Sequence, residues 1–244
     1  MTSARSSRVV VTGVPRPPLE QLDEFAGFGV ATVHEALGRV GYLGPDHRPI
    51  QPDVRVAGSV VTALCWPGDN LMIHAAVEQC AEGDILVVAT TSPCSDGLFG
   101  ELLATSLDAR GVRGLIIDTG VRDTSELRAM GFPVWSRHVS AQGTVKATAG
   151  AVNVPIAVGR QTVYPGAVIL ADDDGVLTFP AADLPRAIEA SKAREAKEQA
   201  TREALAGGQL GLDRYNLRPL LANLGVEYVT YDDYIGGGGE RAHG

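Results

Sequence analysis

Glu101, Arg122 and Asp123 have the types and spacing to assemble one reactive site. Glu101 follows Gly97-Leu98-Phe99-Gly100 and opens the stretch Glu101-Leu102-Leu103, while Arg122-Asp123 follows Gly120-Val121 and precedes a second helical stretch. One helix and one strand lie between them. In such a helix–strand return, the loop after the strand comes back to the end where the helix began. Both helix starts should therefore meet at one sheet edge. The unbonded N–H groups of Leu102 and Leu103 would form a carboxylate site there. Arg122 brings a planar cation for a carbonyl or carboxylate oxygen. Asp123 can hold a hard divalent cation through one oxygen, leaving water and substrate to complete the shell. Glu101 can bind a metal-held water or move a proton. This set suits chemistry through an enolate, with a cation on the 2-keto and carboxylate oxygens and Arg122 on the developing oxyanion. The plain reading beside it is a loop ion pair capping the next helix, with Glu101 a first-turn acid favoured by the helix dipole.

Alternating strand and helix signals must position these groups. Residues 1–18 read as a solvated polar arm ending in Pro15-Arg16-Pro17-Pro18. Residues 19–40 read as two short helices interrupted by Gly27 and Gly29, and 41–53 as loop. The pattern then predicts a strand over 54–64, a turn at 66–70, a helix over 70–80 and a buried strand over 85–89. A loop over 90–100 leads to a helix over 101–110 that stops at Gly111. A strand at 115–117, a tight loop at 119–123, a helix over 125–130 capped by Asp123 or Thr124, and a strand from Pro133 follow. Strands are expected at 152–158, 168–170 and 176–179, with a turn at Asp172-Asp173-Asp174-Gly175. A long polar helix covers 181–206 and ends at Gly207-Gly208. An amphipathic stretch, 217–224, precedes the glycine run 236–239, which reads as disordered. The expected architecture is α/β, with a β-rich central core flanked by helices (swivelling β/β/α type) and a helical C-terminal extension. The expected division is a catalytic domain over 1–180, including the N-terminal arm, and the extension over 181–244.

Composition excludes several classes of function. The chain has 21 Lys and Arg against 29 Asp and Glu, a net charge of −8, so it lacks the basic surface that nucleic-acid binding needs. Its three cysteines, Cys65, Cys80 and Cys94, have no CxxC spacing, which argues against a disulfide framework or a zinc site. No signal-peptide pattern or membrane-length apolar run is present, so a cytoplasmic protein without membrane association is expected.

The residues also resemble a known family. Gly100-Glu101-Leu102-Leu103-Ala104-Thr105-Ser106-Leu107, Ala109-Arg110-Gly111-Val112-Arg113-Gly114 and Gly120-Val121-Arg122-Asp123 are similar to the class II pyruvate aldolases. These act on 4-hydroxy-4-methyl-2-oxoglutarate and 4-carboxy-4-hydroxy-2-oxoadipate, and share a fold with the regulator of ribonuclease activity A. The likeness extends over roughly 55–230, through Gly68-Asp69-Asn70, His74, Gly131-Phe132-Pro133, Gln142-Gly143-Thr144-Val145-Lys146, Val152-Asn153-Val154-Pro155 and Leu210-Gly211-Leu212-Asp213. The resemblance implies that Asp123 ligates Mg2+ or Mn2+ and that Arg122 contacts the keto oxygen of pyruvate. It implies that Gly100 and the N–H groups of Leu102 and Leu103 hold the pyruvate carboxylate, and that Glu101 binds the proton-relaying water. Glu198 of a neighbouring subunit would complete the site in a trimer or hexamer. The chain departs from the family at Glu101, where Asp is usual, and at Gln209, where Glu is usual.

Asn70 and His74 are candidate supporting residues, and Lys146 and Arg137 are candidates for a distal substrate carboxylate. Cys94 reads as packing. The implied reaction is retro-aldol release of pyruvate from a 4-hydroxy-2-oxo di- or tricarboxylic acid, with oxaloacetate decarboxylation beside it. The rivals are a relative recruited to another 2-oxo acid and a non-enzymatic regulatory binder of the same fold.

Overall fold

The computed structural model describes residues 8–236, so the first seven residues of the N-terminal arm and positions 237–239 of the glycine run lie outside the described residues. The chain divides into two compact units between Arg194 and Glu195. In chain order the elements begin with β1 (Val9–Val10), α1 (Leu19–Phe25), α2 (Val30–Ala36), β2 (Arg48–Pro49), β3 (Val56–Cys65), α3 (Leu71–Gln79) and β4 (Asp84–Thr90). Next come β5 (Gly97–Phe99), α4 (Glu101–Asp108), β6 (Gly114–Val121), α5 (Thr124–Met130), β7 (Val134–Val139), β8 (Ala151–Val152), β9 (Ile156–Val158) and β10 (Gln161–Val163). The hairpin β11 (Val168–Asp172) and β12 (Gly175–Phe179) leads to α6 (Leu184–Ala206), then α7 (Gly211–Arg214), α8 (Arg218–Asn223) and α9 (Tyr231–Gly236).

The centre of the first unit is the parallel run β3-β4-β6-β7. Its strands are Val/Ile/Leu-rich because both faces are covered, and Ile85, Leu86, Val87 and Val88 are all fully buried. Alternation assigns the two faces. Val61, Leu86, Val88, Leu115 and Ile117 pack with Ile73 of α3, Leu107 of α4 and Leu127 of α5. Val60, Ile85, Val87, Ile116 and Trp135 point the other way, against Ile156, Val163, Ile169 and Val176 of the second β layer. A third cluster joins Phe25 and Val33 to Leu177, Leu184 and Ile188, tying α1, α2 and the start of α6 to the β11–β12 hairpin. Each fully buried aliphatic side chain contributes about 1.5–3 kcal/mol. This is the expected mixed α/β core with helices against a central sheet.

Side-chain caps reach across the unit. Gly29 precedes α2 and has no side chain to cap it, so the Val30 N–H donates instead to Asp172 Oδ2 at 2.9 Å. The Asp172–Gly175 turn closes the β11–β12 hairpin as expected, with the Asp174 N–H on Asp172 Oδ1 at 2.9 Å.

Four local expectations are corrected. The stretch 8–18 is docked, not a solvated arm: Val9 and Val10 pair with Ala151 and Val152. Arg16 also donates through Nε and Nη2, at 2.8 Å each, to the fully buried carboxylate of Asp84. The loop 90–100 contains β5, because Gly97–Phe99 finds an open edge on β6. The tight loop at 119–123 is mostly strand, since β6 runs to Val121 and only Arg122-Asp123 turn. The strand over 152–158 is broken into β8 and β9, because Asn153 takes a positive φ of 56° just before Val154-Pro155.

Buried residues of α6 are confined to Leu184, Ala187, Ile188 and Ser191. The second unit takes the rest of α6 with α7–α9, and those last three helices bury no residue. Leu224 is 69% exposed and Tyr231 76%, so the described part of this unit has no apolar core of its own.

Because Asp84 is fully enclosed, losing its guanidinium partner would leave a carboxylate with too few donors. Arg16→Ala is expected to lower stability by about 2–4 kcal/mol, read as a reduced urea midpoint with an unchanged slope.

Candidate functional site

Strands β5 and β6 run parallel, with Gly97 opposite Gly120 and Phe99 opposite Val121, so their carboxyl ends lie side by side. The Arg122 N–H donates to the Phe99 carbonyl at 2.9 Å and locks the two ends together. Helix α4 leaves from one end and Arg122-Asp123 from the other. Ligands of open α/β sheets bind at this kind of edge, the carboxyl end of parallel strands.

Asp123 occupies the N-cap position of α5 in left-handed backbone, φ 55° and ψ 39°, and makes no side-chain cap bond to that helix. For a residue other than glycine this conformation costs about 1–2 kcal/mol. The bend instead carries its carboxylate to α4. The Glu101 N–H donates to Asp123 Oδ2 at 3.2 Å, and Arg122 Nε lies 3.6 Å from the same oxygen. Both side chains remain partly open, at 46% for Arg122 and 40% for Asp123. Gly100 is required by space rather than by φ: a Cβ there would lie 2.3 Å from Asp123 Oδ2. The helix start and the carboxylate are thus in direct contact, as the helix–strand return predicts.

Two details of the expected site change. The Leu103 N–H is already engaged by the Gly100 carbonyl at 3.2 Å, a tightened first-turn bond. An anion at this helix start would therefore meet the Leu102 N–H, which has no acceptor one turn back, with Leu103 able only to share its hydrogen. The Glu101 carboxylate accepts from the Thr105 hydroxyl at 3.0 Å, so its backbone faces Asp123 while its side chain is held one turn along α4.

A segment from Ser140 to Thr148 covers the neighbouring space. It starts at the Ser140 N–H, bonded to the Val121 carbonyl at 2.9 Å, and crosses the Gly97 N–H, which donates to the Gln142 carbonyl at 2.9 Å. Gly97 lets it come close, because a Cβ there would sit 2.3 Å from the Ser140 carbonyl oxygen. Further along, Val145 donates to Gly68 at 2.9 Å and accepts from Asn70 at 3.0 Å. Asp69, 2% exposed, completes the attachment. Its Oδ1 accepts the Leu71 N–H at 2.8 Å, and its Oδ2 accepts the Ala147 and Thr148 N–H groups at 2.8 and 2.7 Å. Burial alone would raise this carboxyl, but the three backbone donors outweigh it and hold it below the usual range.

Asn70, at the N-cap position of α3, donates through Nδ2 to the Leu98 carbonyl at 3.0 Å, and its buried Oδ1 has no partner among the described residues. Burial and the nearby Lys146 ammonium lower the pKa of His74, which keeps its ring neutral at pH 7. Asn70, His74 and Lys146 therefore gather around the Ser140–Thr148 segment. Arg137 does not join them: it faces Asp118 at 3.4 Å and Asp46 at 3.8 Å, beside the fully buried His47. Glu198 lies on α6 in the second unit. Cys94 packs against the helix-side core, and burial pushes the Cys65 and Cys80 thiols up to about 12. Sequence reasoning gave Asp69 no role of its own. The available signal was an acid two residues ahead of the first turn of a helix.

Among the described residues no three His, Cys, Asp or Glu side chains converge on a metal-sized site. Asp123 stands as a single partly open carboxylate in a notch that the Cβ of any other residue at 100 would fill. That donor set fits a hard cation that keeps most of its water, as Mg2+ does.

Because the Asp69 carboxyl is depressed in the folded chain, its contribution to stability is complete above the ordinary value of 3.8 and is lost as pH falls through the folded value. Urea midpoints should therefore fall below about pH 4 in the wild type. Asp69→Asn should start about 2 kcal/mol lower at pH 6 and show a shallower acid slope.

The sequence profile of the RraA-like family, described as Aldolase/RraA, matches residues 30–178. A protein of Halalkalibacterium halodurans named "Putative 4-hydroxy-4-methyl-2-oxoglutarate aldolase" is 24% identical over 197 residues, covering 81% of this chain and 94% of that protein. A protein of the same name from Burkholderia multivorans is 33% identical over 156 residues, covering 63% of this chain and 94% of its own length. Among solved structures, Streptomyces coelicolor RraAS2, described as an unusual member of the RNase ES inhibitor RraA protein family, superposes with a TM-score of 0.70 at 25% identity, covering 77% of this chain and 98% of that one. No helix of the described residues is long and apolar enough to cross a membrane. With its profile match spanning the central strands β3, β4, β6 and β7 and both helix starts of the site, the chain belongs to the RraA-like family.

Proposed function

We propose that this chain is a divalent-metal-dependent lyase that cleaves a 4-hydroxy-2-oxo di- or tricarboxylic acid and releases pyruvate. 4-Hydroxy-4-methyl-2-oxoglutarate and 4-carboxy-4-hydroxy-2-oxoadipate are the substrates of choice, with oxaloacetate decarboxylation as a side activity. The observation that carries this reading is the Asp123 carboxylate seated against Gly100-Glu101 with Arg122 beside it. The aldolase names of the relatives support it. Asp123 would hold Mg2+ or Mn2+, which when bound supplies a Lewis acid for the 2-keto oxygen. The Leu102 N–H, flanked by Gly100 and Leu103, receives the carboxylate of the 2-oxo acid. Arg122 pairs with the keto oxygen as it gains charge. A base takes the 4-hydroxyl proton, and the C3–C4 bond breaks with its electron pair passing to C3. C4 becomes a carbonyl, and C3 of the pyruvate enolate then takes one proton to become the methyl group. Glu101, and Glu198 from a neighbouring copy, are the carboxylates assigned to this proton traffic, with Asn70 and His74 supporting the pocket wall.

Coupled detection of pyruvate is expected to show release from one of the two aldol substrates and from oxaloacetate with Mg2+ or Mn2+, and none with a chelator. Asp123→Ala should abolish it, and Arg122→Ala should lower kcat by about a hundredfold or more. Gly100→Ala should be nearly as damaging, because its methyl group displaces Asp123. Pyruvate from neither substrate, with the oligomer folded, would overturn this reading. It would favour a recruited relative acting on another 2-oxo acid, or a regulatory binder, the reading to which the likeness to RraAS2 lends weight.

The extension over 181–244 is proposed to dock on a neighbouring copy in a trimer or hexamer, because Leu220, Leu224, Tyr228 and Tyr231 are exposed apolar side chains. Sedimentation should give three or six copies of the full chain. Truncation after Ala206 should dissociate the assembly and remove activity; an unchanged assembly would overturn the docking.

A further inference from the structure

We infer that Asp118 is a positioning residue for the candidate site: held between Arg137 and the buried His47, it fixes a bulge in β6 that sets the direction of Arg122 and Asp123. That these two side chains serve the site is taken from the reading proposed above; the rest stands on the sheet. Strands β6 and β7 pair in parallel, Ile117 with Ser136, then Gly120 with His138 and Val121 with Val139. Three steps along β6 therefore match two along β7, and Asp118-Thr119 together oppose Arg137. Such an extra residue is uncommon between parallel strands, and it bends the strand that carries it. It also changes parity. Side chains alternate faces along a strand, so one added residue reverses the face of every later one relative to the partner strand. Val121 accordingly returns to the helix-side core with Ile117, whereas its partner Val139 is 64% exposed. Arg122 and Asp123 follow directly, so their approach to Phe99, Gly100 and Glu101 depends on the bulge.

The bulge carries a cost. Thr119 is fully buried, and its hydroxyl has no hydrogen-bond partner among the described residues. Asp118 supplies the hold that offsets it. Its Oδ1 lies 3.4 Å from Arg137 Nη1, on the residue opposite, and 3.0 Å from His47 Nε2. Arg137 is in turn 3.8 Å from Asp46. The Asp118 side chain is only 20% exposed, so solvent screens these attractions less than at an open surface. His47 has no room to move aside. Its ring is fully enclosed, and a Cβ at Gly159 would lie 3.2 Å from its Cε1. His47 comes just before β2, which pairs with β7 through Arg48 and Ser136. One carboxylate on β6 thus ties the strand opposite and the segment entering β2 to the point where the ladder is interrupted.

The test is amide hydrogen exchange on the full chain without substrate, read by mass spectrometry on short peptides. The reporters lie past the bulge: the Arg122 N–H on the Phe99 carbonyl and the Ser140 N–H on the Val121 carbonyl. The control lies before it, the Leu115 N–H on the Pro133 carbonyl. Asp118→Ala is expected to speed exchange at both reporters by about tenfold or more, and at Leu115 by less than about twofold. Arg137→Gln should act in the same direction, and Arg137→Lys, which keeps the charge, should restore most of the protection. Equal acceleration at all three amides would mean a general loss of stability and would overturn the inference. Unchanged reporters in Asp118→Ala, or no recovery with Arg137→Lys, would overturn it as well. Should Asp118→Ala fail to fold, the two variants of the partly exposed Arg137 decide the matter. Turnover gives a second readout: kcat should fall in step with the lost protection, and an unchanged kcat with loosened reporters overturns the link to the site. Absence of pyruvate release from the wild type overturns the reaction alone, because the exchange is read without substrate.

Discussion

The contact on which the site depends is between the Asp123 carboxylate and the backbone where α4 begins. It needs a left-handed bend at Asp123, a missing Cβ at Gly100 and a helix N-terminus offering the Glu101 N–H. The bend and the open helix start each carry a cost alone. The bend is a conformation that side-chain-bearing residues avoid, and an unmet N–H at a helix start is a loss. Together they offset one another: the carboxylate satisfies the helix start, and that contact holds the bend. The outcome is a partly open anion, with a cation beside it, at the carboxyl edge of a rigid sheet. The arrangement is preorganised because the strained residue sits between β6 and α5, two elements anchored by the buried core.

Around that contact the chain uses buried carboxylates as long-range ties. Asp84 receives Arg16 and fastens the N-terminal segment. Asp172 caps α2 across 142 positions of sequence. Asp69 joins the start of α3 to the Ser140–Thr148 segment. Each accepts two or more N–H groups, which is the condition under which burying a carboxylate stops being a penalty. This gives an acidic protein with few aromatics a way to order loops that apolar packing alone would leave loose. The loops ordered this way include the one beside the candidate site.

The two units show the complementary case. The first closes three apolar clusters around its sheet, whereas Leu220 of α8 and Tyr231 and Tyr234 of α9 are exposed. On the proposed reading such a segment gains its stability from the copy it docks on, and the site and the assembly are coupled.

The sequence by itself determined the period of each central element. The run Ile85–Ala89 reads as a buried strand by its length and β-branching, and the strand and helix signals from 54 to 135 call for a β-rich core flanked by helices. It also brought Glu101, Arg122 and Asp123 to one edge, because a helix–strand return has that geometry whatever the side chains. Tertiary structure alone decided what depends on partners far away in the chain. Gly97–Phe99 is a strand only because β6 offers an edge, and 8–18 is held by the pairing of Val9-Val10 with Ala151-Val152 and by Asp84 behind Arg16. Asp69 matters because residues 147 and 148 fold back to it. Local propensity carries no information about a hydrogen bond spanning 78 positions, so the candidate pair Arg122-Asp123 was legible from the sequence and the tie beside it was not.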